Sequence, residues 1–307
     1  MNKSPRLVAL ETLYSIFYDG SYSNIALDKA LSDIKENKAF ISALVYGVTE
    51  RKITLDYFID KYAQGRIKPK VRIVLWLGAY QLLFMDKVPS SASINESVKL
   101  VKEIKQDYYS KLVNAVLHKI DNDRQIPDDL SVKYSVPENL INMWKKQYGE
   151  DVLNEFLPCI NDKPPLFAIP NKKFVNSDEL LYELECDGIL GEAYDEFVLI
   201  ENANDLTDSK AFKNGLFYIE DLSSFNCANA LDALGDDLVL DMCSAPGGKA
   251  FTISQSMNNS GKIYCYDLHE HRLNLIKSSA KRLSIDNIYT DVNDATVYNE
   301  NIPKADK

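Results

Sequence analysis

The feature that most constrains the fold is a short apolar run, residues 238–240, that leads directly into a glycine-rich turn and a helical stretch. Residues 238–249 read Leu-Val-Leu-Asp-Met-Cys-Ser-Ala-Pro-Gly-Gly-Lys. The run is typical of an interior strand, Pro-Gly-Gly ends it, and residues 249–257 can open a helix whose first amides face the turn. Because glycine lacks Cβ, a ligand can approach the backbone closely. The unit predicts a site for a nucleotide-like ligand, although it departs from the Gly-x-Gly-x-x-Gly pattern of a plain NAD site.

Two further predicted strands follow, and an acidic residue stands at the end of each. Residues 262–267 predict a strand that ends at Asp267, and residues 287–292 predict a third strand that leads to Asp294. The helix between them is predicted from apolar residues at helical spacing, namely Leu273, Ile276, Ala280 and Leu283. Open α/β sheets bind ligands at the carboxyl ends of their strands. We therefore predict that Asp267 binds ribose hydroxyls and that Asp294 lies beside an adenine ring; for Asp267 alone, a solvated strand end is the alternative.

The first 124 residues predict a bundle of helices, because apolar residues recur three and four positions apart and strand alternation is scarce. The clearest example is the series Leu7, Leu10, Leu13, Tyr14 and Phe17. Trp76, Tyr80 and Phe84 are spaced four residues apart and could form a platform for base stacking. An aromatic stripe at this spacing is more often part of a core, and we assign it to the core.

The net charge of −10 conceals a contrast between the two ends of the chain. Residues 1–124 carry 19 Lys and Arg against 14 Asp and Glu, a net charge of +5, whereas residues 125–307 carry 16 against 31, a net charge of −15. The most cationic segment, residues 51–72, has seven positive and two negative side chains. Clustered cations bind RNA phosphates by displacing counterions, and a solvated helix face is the alternative. The candidate RNA-binding residues are Arg51, Lys52, Arg66, Lys68, Lys70 and Arg72.

Cysteine spacing and hydropathy exclude several classes of protein. The five cysteines include no Cys-x-x-Cys pair and only three histidines are present, so neither a zinc site nor a disulfide framework is predicted. We expect reduced and mostly buried thiols. No run approaches the roughly 20 apolar residues of a membrane helix, and no signal core follows residues 1–6. The sequence predicts a cytosolic protein without a metal site or membrane contact.

The turn at residues 241–249 resembles the S-adenosylmethionine loop of the RNA cytosine methyltransferases of the RsmB/NOP type. Residues 215–224 are similar to the segment that leads into that domain, which usually reads Gly-x-x-x-x-Gln-Asp-x-x-Ser, with Glu220 in place of the Gln. The resemblance implies S-adenosylmethionine as cofactor, with Asp267 and Asp294 as ligands outside the loop. The implied ligands within the loop are Cys243, Ser244, Ala245, Pro246, Gly247, Gly248 and Lys249.

The first part of the chain resembles the NusB-like helical RNA-binding domain that one subfamily fuses to its methyltransferase. The segments that carry this resemblance are residues 6–10, 40–48, 71–82, 93–98 and 110–118. The combination implies an all-α NusB-like bundle at 1–124, a small α/β connecting subdomain at 125–222 and the first part of a Rossmann-like α/β methyltransferase domain at 223–307. Within the connecting subdomain, residues 138–144 and 177–180 predict helices, and residues 165–171 and 197–200 predict strands.

The resemblance implies methyl transfer from S-adenosylmethionine to carbon 5 of a cytidine in small-subunit ribosomal RNA. Such enzymes add a thiolate to carbon 6 and use a second cysteine, in an Asp-x-Pro-Cys motif, to release the product. Neither motif occurs in these 307 residues, and Cys243 matches the cofactor loop rather than the nucleophile. We expect the catalytic cysteine to lie beyond Lys307, in a chain that is C-terminally truncated.

With only part of the sheet present, we expect Val239, Ile263 and Ile288 to lack much of the cover that a doubly wound sheet requires. The expected behaviour of this chain is RNA binding by the first domain, weak or absent cofactor binding and no turnover. A non-catalytic RNA-binding protein of the NusB antitermination type is the alternative.

Overall fold

The computed structural model describes residues 3–32, 34–202 and 206–307. Contacts divide the chain into two units, Met1–Asp162 and Lys163–Lys307, which are described separately below. The division falls inside the predicted connecting region 125–222. The helical first part of that region groups with the first unit, and its stranded second part groups with the second.

The first unit is helical in all its described elements, as predicted. Ser4 caps the first helix by accepting a hydrogen bond from Leu7 N, and Pro5 takes the first helical position, where no amide is needed. Pro69 begins the fifth helix in the same way. The helices are α1 (Pro5–Tyr18), α2 (Ser23–Leu31), α3 (Lys38–Glu50), α4 (Lys52–Tyr62), α5 (Pro69–Phe84), α6 (Ser90–Glu103), α7 (Ser110–Asn122), α8 (Leu130–Tyr134), α9 (Glu138–Tyr148) and α10 (Glu150–Cys159).

Helix α5 forms the centre of this unit. It is buried almost continuously from Val71 to Leu82, because α1, α3, α4, α6 and α7 all contact it. Trp76 is 2% exposed, and Tyr80 and Phe84 are partly buried against the same apolar cluster. The prediction that this aromatic stripe belongs to the core is confirmed.

The second unit begins with a four-stranded antiparallel sheet in the order β2-β3-β1-β4. Its elements are β1 (Leu166–Pro170), α11 (Ser177–Cys186), β2 (Gly191–Tyr194), β3 (Phe197–Ile200), α12 (Lys210–Lys213) and β4 (Phe217–Ile219). The predicted strands β1 and β3 and the predicted helix α11 are confirmed. Strands β2 and β4 are not predicted from the sequence, because they are edge strands of only four and three residues, too short for a clear alternation.

A parallel sheet in the order β5-β6-β7 completes the second unit, and its predicted elements are confirmed. The elements are α13 (Leu222–Asn229), β5 (Leu238–Asp241), α14 (Gly248–Ser256), β6 (Lys262–Asp267), α15 (Glu270–Leu283) and β7 (Ile288–Val292). Asp306 N also donates to Leu238 O and Leu240 N donates to Lys307 O. Strand β5 therefore has backbone partners on both sides.

The prediction that the parallel strands lack cover is wrong. Val239 is 1% exposed, Ile263 is fully buried, and Ile288 packs partly buried against the same cluster. Phe167 of β1 and Tyr218 of β4 belong to that cluster. Residues of the antiparallel sheet, α14 and α15 therefore supply the cover that was not expected from the sequence.

Polar contacts join the antiparallel sheet to the end of α15. Asn171 Nδ2 donates to Gly215 O at 2.9 Å and to Leu283 O at 2.8 Å. The guanidinium of Arg282 donates to Phe212 O at 2.7 Å, and its carbon lies 3.8 Å from the centroid of the Phe212 ring. Because several carbonyls are satisfied by two side chains, this junction fixes the position of β4 relative to the parallel sheet.

The prediction that the thiols are mostly buried is also wrong. All five cysteines are free, but only Cys265, within β6, is buried. Cys159 and Cys186 are the last residues of α10 and α11, and Cys243 lies in the turn after β5. Helix ends and turns have fewer packed neighbours than a central strand, so these thiols reach the surface.

Candidate functional site

The glycine-rich turn joins β5 to α14 at the carboxyl edge of the parallel sheet. Gly247 has φ +111°, and a Cβ at this position would lie 2.6 Å from the ring of Phe251. Helix α14 begins at Gly248, and no side chain caps its first turn. Uncapped first-turn amides can bind an anionic group. The predicted strand-turn-helix unit is confirmed.

Contacts with β6 hold the turn in place. Ser244 donates from both N and Oγ to Tyr266 O at 2.9 Å. Ala245 N donates to Asp267 Oδ2 at 3.3 Å, and Arg272 Nη2 donates to Ala245 O at 2.8 Å. The shape of the turn therefore depends on the carboxyl end of the neighbouring strand.

A cavity of about 360 Å³ lies between the turn, the end of β4 and the start of α13. The predicted loop residues that line it are Cys243, Ser244, Ala245, Pro246, Gly248 and Lys249. The lining residues that the sequence analysis does not assign to a site are Ile219, Glu220, Asp221, Ser224 and Asp241. For Glu220, Asp221 and Ser224, the Glu-Asp-x-x-Ser segment was the one signal available in the sequence. Asp241 could have been found as the last residue of the predicted strand.

Glu220 is the most buried carboxylate of this cavity, at 8% exposure. Thr252 Oγ1 donates to Glu220 Oε2 at 2.6 Å, and Tyr218 OH lies 2.8 Å from Thr252 Oγ1. Burial raises the pKa of Glu220, while the Thr252 hydrogen bond and the charge of Lys249 act in the opposite direction. A cationic partner would therefore stabilise the ionised form of this carboxylate.

The other charged groups of the cavity differ in their surroundings. Burial raises the pKa of Asp241, although Cys243 N donates to its Oδ1 at 3.3 Å. The pKa of Asp221 is lowered because Ser224 donates hydrogen bonds to it. Lys249 Nζ lies 3.4 Å from Ser224 Oγ. Among the described lining residues, the cavity thus has three carboxylates and one ammonium group.

Asp267 ends β6 as predicted, but the residue is only 3% exposed. The carboxylate accepts hydrogen bonds from Ala245 N at 3.3 Å, His269 N at 3.2 Å and Arg272 Nη1 at 3.4 Å. These distances are longer than the usual N–H···O distance of about 2.9 Å. Arg272 Nη1 also forms an ion pair with Asp267 Oδ2 at 3.3 Å, so Asp267 stabilises the turn through an ion pair and two backbone contacts.

Asp294 lies at a second cavity, of about 640 Å³, beside the carboxyl ends of β6 and β7. The apolar side chains of Leu268, Val292 and Val297 also line this cavity. Asp294 Oδ1 accepts hydrogen bonds from Thr296 N at 2.9 Å and Thr296 Oγ1 at 2.7 Å, which lower the pKa of Asp294. Six of the predicted loop ligands thus line the first cavity and Asp294 lines the second, whereas Gly247 and Asp267 line neither.

Two of the predicted RNA-binding cations, Lys52 and Arg72, form ion pairs with a carboxylate of the first unit. Asp56 accepts Lys52 Nζ at 2.7 Å, Arg72 Nη2 at 2.6 Å and Trp76 Nε1 at 2.7 Å. Burial alone would raise the pKa of Asp56, but these hydrogen bonds together lower it. The guanidinium of Arg51 lies 5.0 Å from the centroid of a phenylalanine ring. Lys52 and Arg72 are therefore partly neutralised.

The remaining three cations, Arg66, Lys68 and Lys70, lie exposed at the start of α5 and in the loop before it. Lys68 Nζ donates to Gln106 Oε1 at 3.0 Å, and Lys70 Nζ lies 5.3 Å from the centroid of the Tyr14 ring. Within the described parts of the chain, no ion pair involves these three side chains. Their charge is available to a polyanion.

In residues 3–32, 34–202 and 206–307, no three or more His, Cys, Asp or Glu side chains are grouped so as to hold a metal ion. Within the same ranges, no helix combines the length and apolar character needed to cross a bilayer.

Two family models match the chain: the NusB family at residues 3–122, and 16S rRNA methyltransferase RsmB/F at residues 228–307. The probable ribosomal RNA small subunit methyltransferase B of Bacillus subtilis (strain 168) is 32% identical over 309 residues, which cover 95% of this chain and 69% of that protein. The chain belongs to the ribosomal RNA small subunit methyltransferase B family. The predicted family and the predicted succession of a NusB-like bundle and an α/β methyltransferase region are confirmed.

Other members of the methyltransferase B family match over most of the chain. Ribosomal RNA small subunit methyltransferase B of Shewanella oneidensis is 28% identical over 295 residues, or 91% of this chain and 67% of that protein. The crystal structure of PH0851 has a TM-score of 0.70 and 23% identity, and covers 96% of this chain and 70% of that chain. At this identity the structural match supports the fold alone.

The thiols of this methyltransferase B family member differ in exposure. Burial raises the pKa of the Cys265 thiol to about 12, so this thiol stays protonated at neutral pH. Cys243 is exposed and lines the cavity at the turn. Cys243 belongs to the predicted cofactor loop, whereas Cys265 lies within β6, paired in register with Asp241 at the end of β5, and does not line the cavity.

Proposed function

We propose that this chain binds S-adenosylmethionine at the carboxyl edge of the parallel sheet and binds small-subunit ribosomal RNA through its helical unit. The reaction that these two sites serve is methyl transfer to carbon 5 of a cytidine. The observation that carries the proposal is the uncapped start of α14 beside a cavity that is lined by the buried carboxylate of Glu220 and by Lys249. Because the parallel strands are well covered, we propose a formed cofactor site in place of the absent or weak one expected from the sequence.

The residues at the carboxyl edge of the parallel sheet fit the parts of S-adenosylmethionine. Residues 243–249 would hold the amino-acid end, and Asp267 would accept the ribose hydroxyls in exchange for its long contacts. Asp294 would lie beside the adenine ring. Asn293 supports this placement, because its Nδ2 is buried without a hydrogen-bond partner and the residue lines the second cavity. An adenine nitrogen could accept the hydrogen bond that Nδ2 lacks.

The cofactor site is tested by Lys249→Met. We expect this change to weaken S-adenosylmethionine binding by about tenfold or more, because the cavity loses its one described cation. The measurement is calorimetric titration of S-adenosylmethionine into the full chain. Lys277→Met, on the exposed face of α15, removes the same charge outside the cavity and should bind like the unaltered protein. Equal affinity in all three proteins would exclude the assignment of this cavity.

The chemistry constrains what the 307 residues can do alone. Bound S-adenosylmethionine supplies an electrophilic methyl group, but carbon 5 of cytosine becomes nucleophilic only after a thiolate adds to carbon 6. Cys265 is buried and protonated, and Cys243 lies where we place the amino-acid end of the cofactor. We therefore propose that this chain binds without turnover.

We expect no transfer of tritium-labelled methyl from S-adenosylmethionine to small-subunit ribosomal RNA by the 307-residue chain. The reason is that Cys265 is buried and protonated, and that Cys243 lies where we place the cofactor, so neither thiol is available to add to carbon 6. A family member that contains the Asp-x-Pro-Cys motif is the positive control for the RNA and the cofactor. Labelled RNA above the level of a sample without protein would contradict this prediction.

The exposed cations Arg66 and Lys70 are expected to contribute to RNA affinity. Changing either to alanine should weaken binding similarly for all RNA sequences and reduce the slope of log affinity against log salt by about one. The measurement is a filter-binding titration at several salt concentrations. Lys87→Ala, an exposed lysine after α5, is the matched control and should leave the slope unchanged if the cationic segment forms the contact.

RNA binding in the manner of a free NusB-like protein is the second candidate, favoured by the family match at residues 3–122. A module of this kind should bind RNA equally well with and without the cofactor. For the methyltransferase function, we expect the cofactor and the RNA to affect each other's affinity, because both serve one reaction.

A further inference from the structure

One carboxylate oxygen of Glu220 accepts a hydrogen bond from a neighbouring side chain, and the other has no hydrogen-bond donor among the described residues. Oε2 accepts the Thr252 hydroxyl at 2.6 Å. Oε1 lies next to the start of α14, 2.8 Å from the position that a Cβ on Gly248 would take. Among the described residues, no donor forms a hydrogen bond with Oε1. The cavity at the turn includes both Glu220 and Gly248 in its lining.

The orientation of Glu220 follows from a directed chain of hydroxyl groups. Because the Thr252 hydroxyl donates its proton to Glu220, the 2.8 Å contact with Tyr218 requires Tyr218 OH to donate to Thr252 Oγ1. Burial raises the pKa of Tyr218 well above its ordinary value, so this phenol remains a donor. The chain from Tyr218 to Thr252 to Glu220 holds Oε2 as the acceptor. Oε1 is then the oxygen free to meet a ligand.

The charges around the cavity favour a ligand that has both a cation and an anion. Asp221 and Asp241 are the other carboxylates of the described lining, and Lys249 is its ammonium group. No ion pair joins Lys249 to Glu220. The ammonium and the uncapped amides of α14 suit a carboxylate, whereas Glu220 Oε1 suits an ammonium group. A free α-amino acid group presents both charges close together.

We propose that Glu220 binds the α-ammonium group of the cofactor's amino-acid moiety, while Lys249 binds the α-carboxylate of the same moiety. This inference rests on the proposed function, since it assigns the ends of the same cofactor. Glu220 is then a binding residue that distinguishes complete S-adenosylmethionine from adenosine compounds without the amino acid. Tyr218 and Thr252 are positioning residues that act through it.

Proton release follows from this assignment. Burial raises the pKa of Glu220 in the free protein, and Asp221 acts in the same direction, while Thr252 and Lys249 oppose them. A bound ammonium group stabilises the ionised carboxylate and lowers that pKa. Binding therefore releases a proton at a pH between the two values, and the affinity rises with pH over that interval.

The test compares three ligands by calorimetry: S-adenosylmethionine, decarboxylated S-adenosylmethionine, which keeps the amine, and 5′-methylthioadenosine, which lacks the amino acid. Glu220→Gln should weaken the first two by about tenfold and leave the third unchanged. Glu192→Gln, an exposed carboxylate on β2, is the control and should bind all three normally. A similar loss for all three ligands would assign Glu220 a structural role and overturn the proposal.

Titration in buffers of different ionisation enthalpy gives a second readout. The wild-type chain should release a proton when it binds S-adenosylmethionine at mildly acidic pH, and Glu220→Gln should release measurably less. Equal affinity and equal proton release in the two proteins would overturn the inference alone. Failure of the wild-type chain to bind any of the three ligands would instead contradict the proposed cofactor site, and the inference with it.

Discussion

Gly215→Ala is expected to destabilise the second unit by about 4 kcal/mol, a loss at the upper end for a single substitution. Gly215 has φ +73°, and a Cβ at this position would lie 1.9 Å from Arg282 O. The backbone cannot move apart easily, because Asn171 binds the Gly215 and Leu283 carbonyls and Arg282 is held over Phe212. The substitution therefore forces the antiparallel sheet away from α15.

Urea unfolding combined with hydrogen exchange of peptides from residues 163–307 measures this loss. Gly188→Ala is the matched control: Gly188 has φ +77°, but its Cβ would meet no atom within 4 Å. Gly188→Ala should therefore lose only the stability that a left-handed backbone conformation costs a residue with a Cβ, about 1 kcal/mol. The difference between the free energies of unfolding of the two variants isolates the cost of the clash with Arg282. Equal losses would show that the backbone at the junction moves apart at little cost.

Asp56→Ala is expected to lower the stability of the first unit by about 3 kcal/mol and, at the same time, to raise its affinity for RNA. The change leaves the Trp76 indole N–H without its acceptor and removes the shared partner of Lys52 and Arg72. The unpaired cations then become available to phosphates. If Asp56 instead held an RNA-binding surface together, its removal would lower both the stability of the first unit and its affinity for RNA.

The pH dependence of this effect has a defined sign. The pKa of Asp56 is lowered in the folded protein, so its stabilising contribution is complete above the ordinary pKa of an aspartate and is lost as the pH falls through the lowered value. The difference between Asp56→Ala and the unaltered protein should therefore shrink in acid. Asp60→Ala removes an exposed carboxylate that pairs with Arg72 at 2.8 Å and should cost less than about 1 kcal/mol. Similar losses in both variants would contradict the central role of Asp56.

Elements defined by local pattern could be predicted from the sequence. The strand that ends at Asp241, the strand that ends at Asp267 and helix α15 all appear where apolar spacing places them. Each needs only neighbouring residues for its signal, namely a continuous apolar run, a turn, or a period near 3.6. The short edge strands β2 and β4 have no such signal and could not be found.

Properties that depend on distant segments were not predictable in the same way. The cover of Val239 and Ile263 comes from a cluster that combines α14, α15 and the antiparallel sheet, and the cavity at the turn takes Glu220 from the end of β4. The cationic segment looks uniformly positive in sequence, yet Asp56 partly neutralises Lys52 and Arg72. The sequence shows which side chains are charged, but it does not show which groups they pair with in the folded protein.

By itself, the sequence determined the NusB-like helices, the strand-turn-helix unit and the acidic strand ends, because backbone geometry and apolar periodicity act within a few residues. Only the tertiary structure decided which carboxylates share the cavity with Lys249, which cations remain free and which thiols are exposed. Burial and charge pairing depend on segments far apart in the chain. The pKa values of these carboxylates and thiols, and the capacity of the groups to bind a ligand, therefore arise only when packing brings those segments together.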